Sequence, residues 1–273
     1  MNRSGLLPFL SPLLAGLLLS ASVAAWAQPN SFDFGVIAHA FQRDENKNPL
    51  QQAIHASNAE SLAFVVVNGI KYSDENCSDN VYSRSKKTLG RSENALIVSL
   101  AAGDWVTCKA KNGKSIAIQK LNRVRELFFS DDVSFDDTNT TLIRQTSSAK
   151  FRSYAENARW EYGNVLFATI NFPADNNHYL PDAGRNSEFE DRLIANREWL
   201  ARIFTHAAQR KNRAIVLFCD GNPLAVPDAA AIAKLAGRRD GFIEVRKHFI
   251  ALAKKFPGKV LLLHGQTQAK PDA

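Results

Sequence analysis

The chain is predicted to have an α/β fold, because short apolar runs alternate with amphipathic segments along most of its 273 residues. The runs at 62–68 and 214–219 are rich in Val, Ile, Leu and Phe, which is typical of strands buried on both faces, and 94–100 is predicted as a third strand. Between Phe189 and Ala207, apolar residues recur at spacings of about three and four, which predicts a helix. Strands that alternate with helices favour a largely parallel sheet covered by helices.

The other elements follow from the same patterns. Further strands are predicted on both sides of the turn signal Gly163-Asn164 and at 34–38 and 259–264. Further helices are predicted at 49–59, 78–89, 116–129 and 242–256. The polar stretch 130–150 has no clear period and is interpreted as a long excursion or a mobile loop. The stretch 173–187 is rich in Pro, Asp and Asn and is interpreted as a surface loop. Parallel sheets bind ligands at the carboxyl ends of their strands, so functional residues are expected there.

The amino terminus has the features of a secretory signal peptide. Arg3 supplies positive charge, residues 6–23 are mostly Leu and Ala, and Ala25-Trp26-Ala27 forms a small-residue cleavage site. We therefore predict a signal peptide over 1–27 and one domain over 28–273, located in the periplasm or secreted. The alternative is an uncleaved membrane anchor, which the prolines and glycine inside the apolar run disfavour.

Composition gives weaker indications of partners. The formal net charge is +7, but the basic residues are spread along the chain. Nucleic-acid binding needs a concentrated basic stripe with interleaved aromatic residues, so no nucleic-acid partner is predicted. No later segment is apolar for long enough to span a bilayer, so no membrane span is predicted beyond the signal. No protein partner can be predicted from the sequence.

Three cysteines are present, and in an oxidising compartment two of them can pair. Cys77 and Cys108 lie in loop-like sequence after predicted strands, whereas Cys219 ends an apolar strand and is expected to be buried. A Cys77–Cys108 disulfide is the favoured pairing, although spacing alone does not fix the connectivity.

Four short motifs at the predicted strand ends carry a family resemblance. They are Asn68-Gly69-Ile70-Lys71, Cys77-Ser78-Asp79, the segment from Gly103 to Cys108, and His264-Gly265-Gln266-Thr267-Gln268. Together with the segments at 156–160 and 185–189, they resemble exported bacterial members of the calcineurin-like metallophosphoesterases. The resemblance implies a four-layer α/β/β/α sandwich. It also implies a site for two divalent metals (Mn, Fe, Zn or Mg), which activate water to attack a small-molecule phosphate ester.

Several family ligand positions are altered here. His39 stands where the first motif has Asp, and Trp105 follows Asp104 directly where the third motif has Asn. The second-motif Asp aligns with Gly69, which has no ligating side chain. The late-motif Asp and His align with neutral amides, which are weak ligands. The motif remnants are therefore Asn68, Gly69, Asn222, Gln266 and Gln268.

The remaining candidates form a reduced site. The candidate metal ligands are His39, Asp104, Asp220 and His264, and the two histidines are also the candidate catalytic residues. Turn formation is the alternative for Asp104 and for Asp220-Gly221-Asn222-Pro223. For His39 and His264 the alternative is an ordinary polar residue at a strand end or at the rim of the sheet. The sequence thus predicts an exported phosphoesterase-family protein with a largely lost metal site and weak or no activity. The alternatives are a non-catalytic binding protein that reuses the cleft, and a truncated product.

Overall fold

The protein is described from a computed structural model, which covers residues 31–38, 48–72, 74–130, 141–180, 186–225 and 239–266. Within these ranges the chain has a mixed α/β fold, as the alternation of strands and helices predicts. The predicted signal peptide at 1–27 and two candidate site residues, His39 and Gln268, lie outside the described residues. Among the described helices, none is both long and apolar enough to cross a membrane.

The described strands form two sheets. The first is parallel throughout and has the order β1-β2-β3; its strands are β1 Gly35–Ile37, β2 Val65–Asn68 and β3 Leu96–Ser99. The second has the order β4-β5-β6-β7-β8; its strands are β4 Ile143–Arg144, β5 Ala158–Tyr162, β6 Val165–Thr169, β7 Ala214–Cys219 and β8 Lys259–His264. In this sheet β6, β7 and β8 are parallel, whereas β4, β5 and β6 are antiparallel neighbours.

Helices occupy the connections that parallel strands require. They are α1 Pro49–Asn58, α2 Asp79–Leu89, α3 Ala102–Trp105, α4 Ala117–Phe128, α5 Ser187–Arg210 and α6 Ile243–Ala253. Two helix starts follow from local sequence. Asn48 caps α1, which begins with Pro49, and the Ser78 hydroxyl caps α2 by accepting the N–H of Val81. Such caps satisfy backbone donors that have no partner inside the helix.

Buried apolar side chains fall into three clusters. In the first, residues of β2 and β3 pack with α1, α2 and α4. In the second, residues of β6 and β7 pack with α5 and α6. The third contains the alternate residues of both sheets, including Phe64, Val66, Phe167 and Phe218. Because successive strand residues point to opposite faces, each sheet contributes one face to a cluster with helices and the other face to the shared cluster.

One expectation from the sequence needs correction. Part of the polar stretch 130–150 is ordered, because residues 143–144 form β4 and residues 145–151 form two short 3-10 turns. The strands predicted on both sides of Gly163-Asn164 are present. The tight turn there, where both residues have positive φ, reverses the chain between β5 and β6, so the second sheet is mixed. A turn of this kind joins antiparallel neighbours and cannot join parallel ones.

Cys77 and Cys108 form a disulfide with their Cα atoms 5.8 Å apart. This is the pairing favoured from the sequence. It links the segment before α2 to the segment after α3, so it ties together two loops that follow β2 and β3. Cys219 is a buried free cysteine, and burial raises the pKa of its thiol.

Candidate functional site

The carboxyl ends of β2 and β3 in one sheet and β6, β7 and β8 in the other lie at a common edge. The two sheets are joined there by a direct hydrogen bond, in which the Asn68 side-chain amide donates to the carbonyl of Cys219 at 3.2 Å. Asn68 pairs in register with Ser99, and Cys219 pairs with His264. The topology therefore brings Asn68 and His264, two of the predicted site residues, to the same edge.

Asp104, in α3, is fully buried. Its Oδ1 accepts the backbone N–H of Ile70 at 2.9 Å, and its Oδ2 accepts the backbone N–H of Ala101 at 2.8 Å. Burial raises the pKa of this carboxyl to about 7, although the two backbone hydrogen bonds and the charge of Lys71 oppose the shift. Both carboxyl oxygens thus have backbone partners that hold the ends of β2 and β3 together.

Asp220 follows β7, and its carboxylate also accepts backbone N–H groups, here from loops of both sheets. Its Oδ2 accepts the backbone N–H of Ala102 at 2.7 Å and that of Ala174 at 2.8 Å. Ala102 begins α3 in the connection after β3, whereas Ala174 lies in the loop after β6. A single carboxyl oxygen therefore anchors two loops that belong to different sheets.

The segment after β8 closes against Asp220. The N–H of Gly265 lies within hydrogen-bonding distance of two carbonyls, at 3.0 Å from Asp220 and 3.2 Å from Cys219. The side chain of Gln266 accepts the N–H of Asn222 at 2.6 Å. A Cβ at Gly265 would overlap Oδ1 of Asn68 and lie 3.0 Å from Oδ1 of Asp220. Gln266 and Asn222, both motif remnants, are therefore joined by a hydrogen bond.

Gly69 and His264 complete the set of described motif positions. Gly69 has φ +92°, a conformation that favours glycine, and it donates to the carbonyl of Ser99 at 2.8 Å. His264 is half-buried, and its Nδ1 is buried without a hydrogen-bond partner. Three further buried polar atoms near the strand ends have no partner: Ser99 Oγ, Trp105 Nε1 and Asn171 Oδ1.

The sequence did not point to a second polar cluster, which lies beside Trp105. Arg192 of α5 has 0% exposure. It donates to Glu188 Oε1 at 2.6 Å and to Asn177 Oδ1 at 2.6 Å. Glu188 also pairs with His178 Nδ1 at 2.7 Å, and the His178 ring packs edge-on against Trp105. Burial raises the pKa of Glu188, but Arg192 and His178 outweigh it and lower this pKa to about 2.

This cluster depends on an unusual turn. Asn176, Asn177 and His178 have φ values of 41°, 54° and 54°, in the left-handed region that non-glycine residues rarely adopt. Arg192 donates to both the side chain and the carbonyl of Asn177. Two sequence signals lay in this region. The segment 185–189, which contains Glu188, is part of the resemblance, and the Asn-Asn pair tolerates left-handed geometry better than most residues.

An ion pair with a buried carboxylate, Glu156, lies near the end of β6. Arg125 of α4 binds Glu156 with two hydrogen bonds, of 2.8 and 2.6 Å. Glu156 Oε1 also accepts the side-chain amide of Asn171 at 2.9 Å. The side-chain amide of Asn171 is oriented by this contact, while its Oδ1 has no partner.

Among the residues that the structure describes, the donor set does not fit a two-metal centre. Within the described ranges, no group of three or more His, Cys, Asp or Glu side chains is placed to hold a metal ion. Asp104 and Asp220 have backbone N–H partners, and Asn68 and Gln266 are neutral amides that bond to other protein groups. A two-metal centre needs several oxygen and imidazole ligands that are available to the ions.

Comparison with known proteins adds no assignment. No family model matches the chain, and no curated protein matches it. The resemblance to calcineurin-like metallophosphoesterases therefore remains a prediction that rests on the motif residues at the strand ends.

Proposed function

We propose that the chain is an exported protein with a calcineurin-like metallophosphoesterase fold whose metal-dependent hydrolysis of phosphate esters is lost or residual. The proposed architecture is a four-layer α/β/β/α sandwich. Its support is the division of the apolar side chains into three clusters, two between a sheet and helices and one between the sheets. A sandwich of two sheets between helical layers buries its apolar residues in this way.

The observation that carries the functional proposal is the bonding of Asp104 and Asp220. Together these carboxylates accept four backbone N–H groups at 2.7 to 2.9 Å. A carboxylate oxygen that bonds a backbone N–H has fewer lone pairs for a metal. Withdrawing the carboxylate would leave buried donors unsatisfied, which costs about 1–3 kcal/mol for each donor. The proposed role of both aspartates is therefore to hold the loops of the old site.

Activity and metal content test this proposal together. The purified protein is assayed for bound Mn, Fe, Zn and Mg and for hydrolysis of a generic phosphodiester and phosphomonoester, first with added Mn²⁺ and then with a chelator. We expect no stoichiometric metal, no chelator-sensitive turnover and a melting temperature that the chelator does not change. Metal-dependent turnover that His264→Ala or His39→Ala abolishes would overturn the proposal.

A second candidate is a non-catalytic binding protein that reuses the cleft. Four buried polar atoms without partners support it: Ser99 Oγ, Trp105 Nε1, Asn171 Oδ1 and His264 Nδ1. Buried polar atoms are normally paired, so four unpaired ones near the same strand ends favour a polar ligand there. Three other unpaired atoms, Arg159 Nε, Trp160 Nε1 and Asn212 Oδ1, lie away from this edge. Inorganic phosphate and a phosphomonoester are suitable probes. Binding that Asn171→Leu weakens and the exposed-site control Asn112→Leu leaves unchanged would favour this candidate.

A further inference from the structure

The edge of the second sheet opposite to the candidate site is strongly basic. Five cations lie in or beside the two loops that lead into β7 and β8, and we name them the basic edge: Lys211, Arg213, Lys254, Lys255 and Lys259. Each is exposed. The strands run from this edge to the candidate site over six residues, or roughly 17 Å, so the two surfaces are separate.

Topology brings these charges together. β7 and β8 are parallel neighbours, and Ala214 pairs in register with Lys259. The N–H of Lys259 donates to the carbonyl of Arg213 at 3.0 Å, so the two loops touch. The long helices α5 and α6 end at Arg210 and Ala253, just before these loops. Residues more than 40 positions apart in the chain therefore form one surface, which explains why the charges look scattered in the sequence.

None of these five side chains has an ion-pair partner among the described residues. The nearby Glu161 is shared by His206 at 2.7 Å and Arg210 at 3.7 Å. A cation within the last turn of a helix stabilises the helix through its dipole. This effect gives Lys211 and Lys254, which directly follow α5 and α6, a structural reason for their charge. The helix dipole gives no such reason for the charges of Arg213 and Lys259, which lie at strand starts.

Exposed apolar side chains flank the charges. Ile250 of α6 is 40% exposed and lies one turn before Lys254, and Leu261 of the edge strand β8 is 49% exposed. The one aromatic residue of the two loops, Phe256, is buried at 8% exposure. Nucleic-acid surfaces combine positive charge with exposed aromatic rings that stack on bases. A lipid surface requires only cations beside apolar side chains.

We propose that the basic edge binds the surface of a membrane that contains anionic lipids. Each Lys or Arg near such a surface contributes about a five-fold gain in affinity, and the gain falls off within a Debye length. The flanking Ile250 and Leu261 supply apolar contact with the headgroup boundary. The proposal does not rest on the proposed function, because it concerns the opposite edge of the sheet.

The test is cosedimentation of the purified protein with vesicles of phosphatidylglycerol and phosphatidylcholine, and with vesicles of phosphatidylcholine alone. The test variant is the triple Lys254→Gln, Lys255→Gln, Lys259→Gln. The control is the triple Lys109→Gln, Lys111→Gln, Lys114→Gln, which removes the same charge from exposed lysines in the loop before α4. All proteins are purified after export, so the predicted signal peptide at 1–27, with its apolar segment at 6–23, is absent from each.

We expect salt-sensitive binding to the anionic vesicles that falls on the order of a hundred-fold in the test triple and less than about five-fold in the control. The triple Lys254→Arg, Lys255→Arg, Lys259→Arg should bind like the original protein, since it keeps the charge. If the Gln triple does not fold, Arg213→Gln is used and should lose about five-fold.

Three results would overturn the proposal. The first is an equal loss in the two Gln triples, and the second is equal binding to neutral and anionic vesicles. The third is tighter binding of a single-stranded oligonucleotide than of anionic vesicles at the same salt, which would make nucleic acid the partner.

Discussion

The Asp220 carboxylate accepts the backbone N–H of Ala102 at 2.7 Å, across 118 positions of the sequence. This bond, with a second from Ala174 to the same oxygen at 2.8 Å, joins loops of the two sheets. Asp220→Ala would leave both donors without this partner in a buried region, so we expect a loss of about 2–4 kcal/mol in the free energy of unfolding. Urea titration measures it.

The matched control for Asp220→Ala is Glu93→Ala, which removes an exposed acid and should change stability by less than about 0.5 kcal/mol. A chelator should not reproduce the effect of Asp220→Ala. If it does, Asp220 is a metal ligand and the anchoring role is wrong.

The raised pKa of Asp104 leads to a prediction of how the stability of the fold changes with pH. Its folded-state pKa is about 7, raised from 3.8 chiefly by burial. Between these values the folded state binds the proton more tightly than the unfolded state, so stability falls as the pH rises from about 4 to about 7 and then levels off. Asp104→Asn cannot titrate at this position. The stability of the original protein minus that of Asp104→Asn should therefore decrease across this window, by at most about 1.4 kcal/mol per pH unit.

Urea titrations of both proteins at several pH values between about 4 and about 8 give this difference. A difference that stays constant with pH would show that the carboxyl of Asp104 does not titrate there.

We expect a side chain at position 265 to clash with the candidate site. A Cβ at this position would overlap Oδ1 of Asn68, so Gly265→Ala should destabilise the protein by about 1–3 kcal/mol. Asn68→Ala removes the obstructing atom, and the double variant should therefore lose less than the sum of the two single variants. Gly90→Ala is the control, because its Cβ would meet its nearest neighbour at 3.4 Å, an ordinary contact. Additive effects of Gly265→Ala and Asn68→Ala would contradict the predicted overlap.

The disulfide should contribute substantially to stability. Cys77 and Cys108 are 31 residues apart, and closing a loop of this length stabilises a fold by about 2–4 kcal/mol. We expect a reductant to lower the midpoint of urea unfolding, and Cys77→Ala with Cys108→Ala to lower it without reductant. The double variant should then be insensitive to the reductant. A reductant effect that persists in the double variant would have to come from another group.

Arg192 and Arg202 provide a matched pair on helix α5. Arg192 is fully buried and holds Glu188, whereas Arg202 is exposed and pairs with Glu198. Arg192→Met leaves Glu188 without its main counter-charge and should cost about 3–5 kcal/mol, whereas Arg202→Met should cost less than about 1 kcal/mol. Equal costs in urea unfolding would contradict the importance of the buried pair.

The stability contributed by the Arg192–Glu188 ion pair changes with pH in the opposite direction to that contributed by Asp104. Because the pKa of Glu188 is lowered to about 2 from 4.5, its contribution is complete above about pH 4.5 and is lost as the pH falls towards about 2. In Arg192→Met this loss on acidification should become smaller.

Local sequence determined most of the elements. Continuous apolar runs at 62–68 and 214–219 predicted β2 and β7, because a strand buried on both faces needs apolar residues at every position. The turn at Gly163-Asn164 was also predicted, since it depends on neighbouring residues. The sequence also indicated which strand ends would carry polar residues.

Only the tertiary structure decided which groups those polar residues contact. Asp104 and Asp220 were predicted as metal ligands or turn formers. In the structure, both carboxylates also bond backbone N–H groups of other elements, up to 118 positions away. The cluster of Arg192 with Glu188, and the surface formed by Arg213 and Lys259, likewise join separate elements. Such contacts depend on which loops meet when the sheets pack, and no local pattern of residues encodes that meeting.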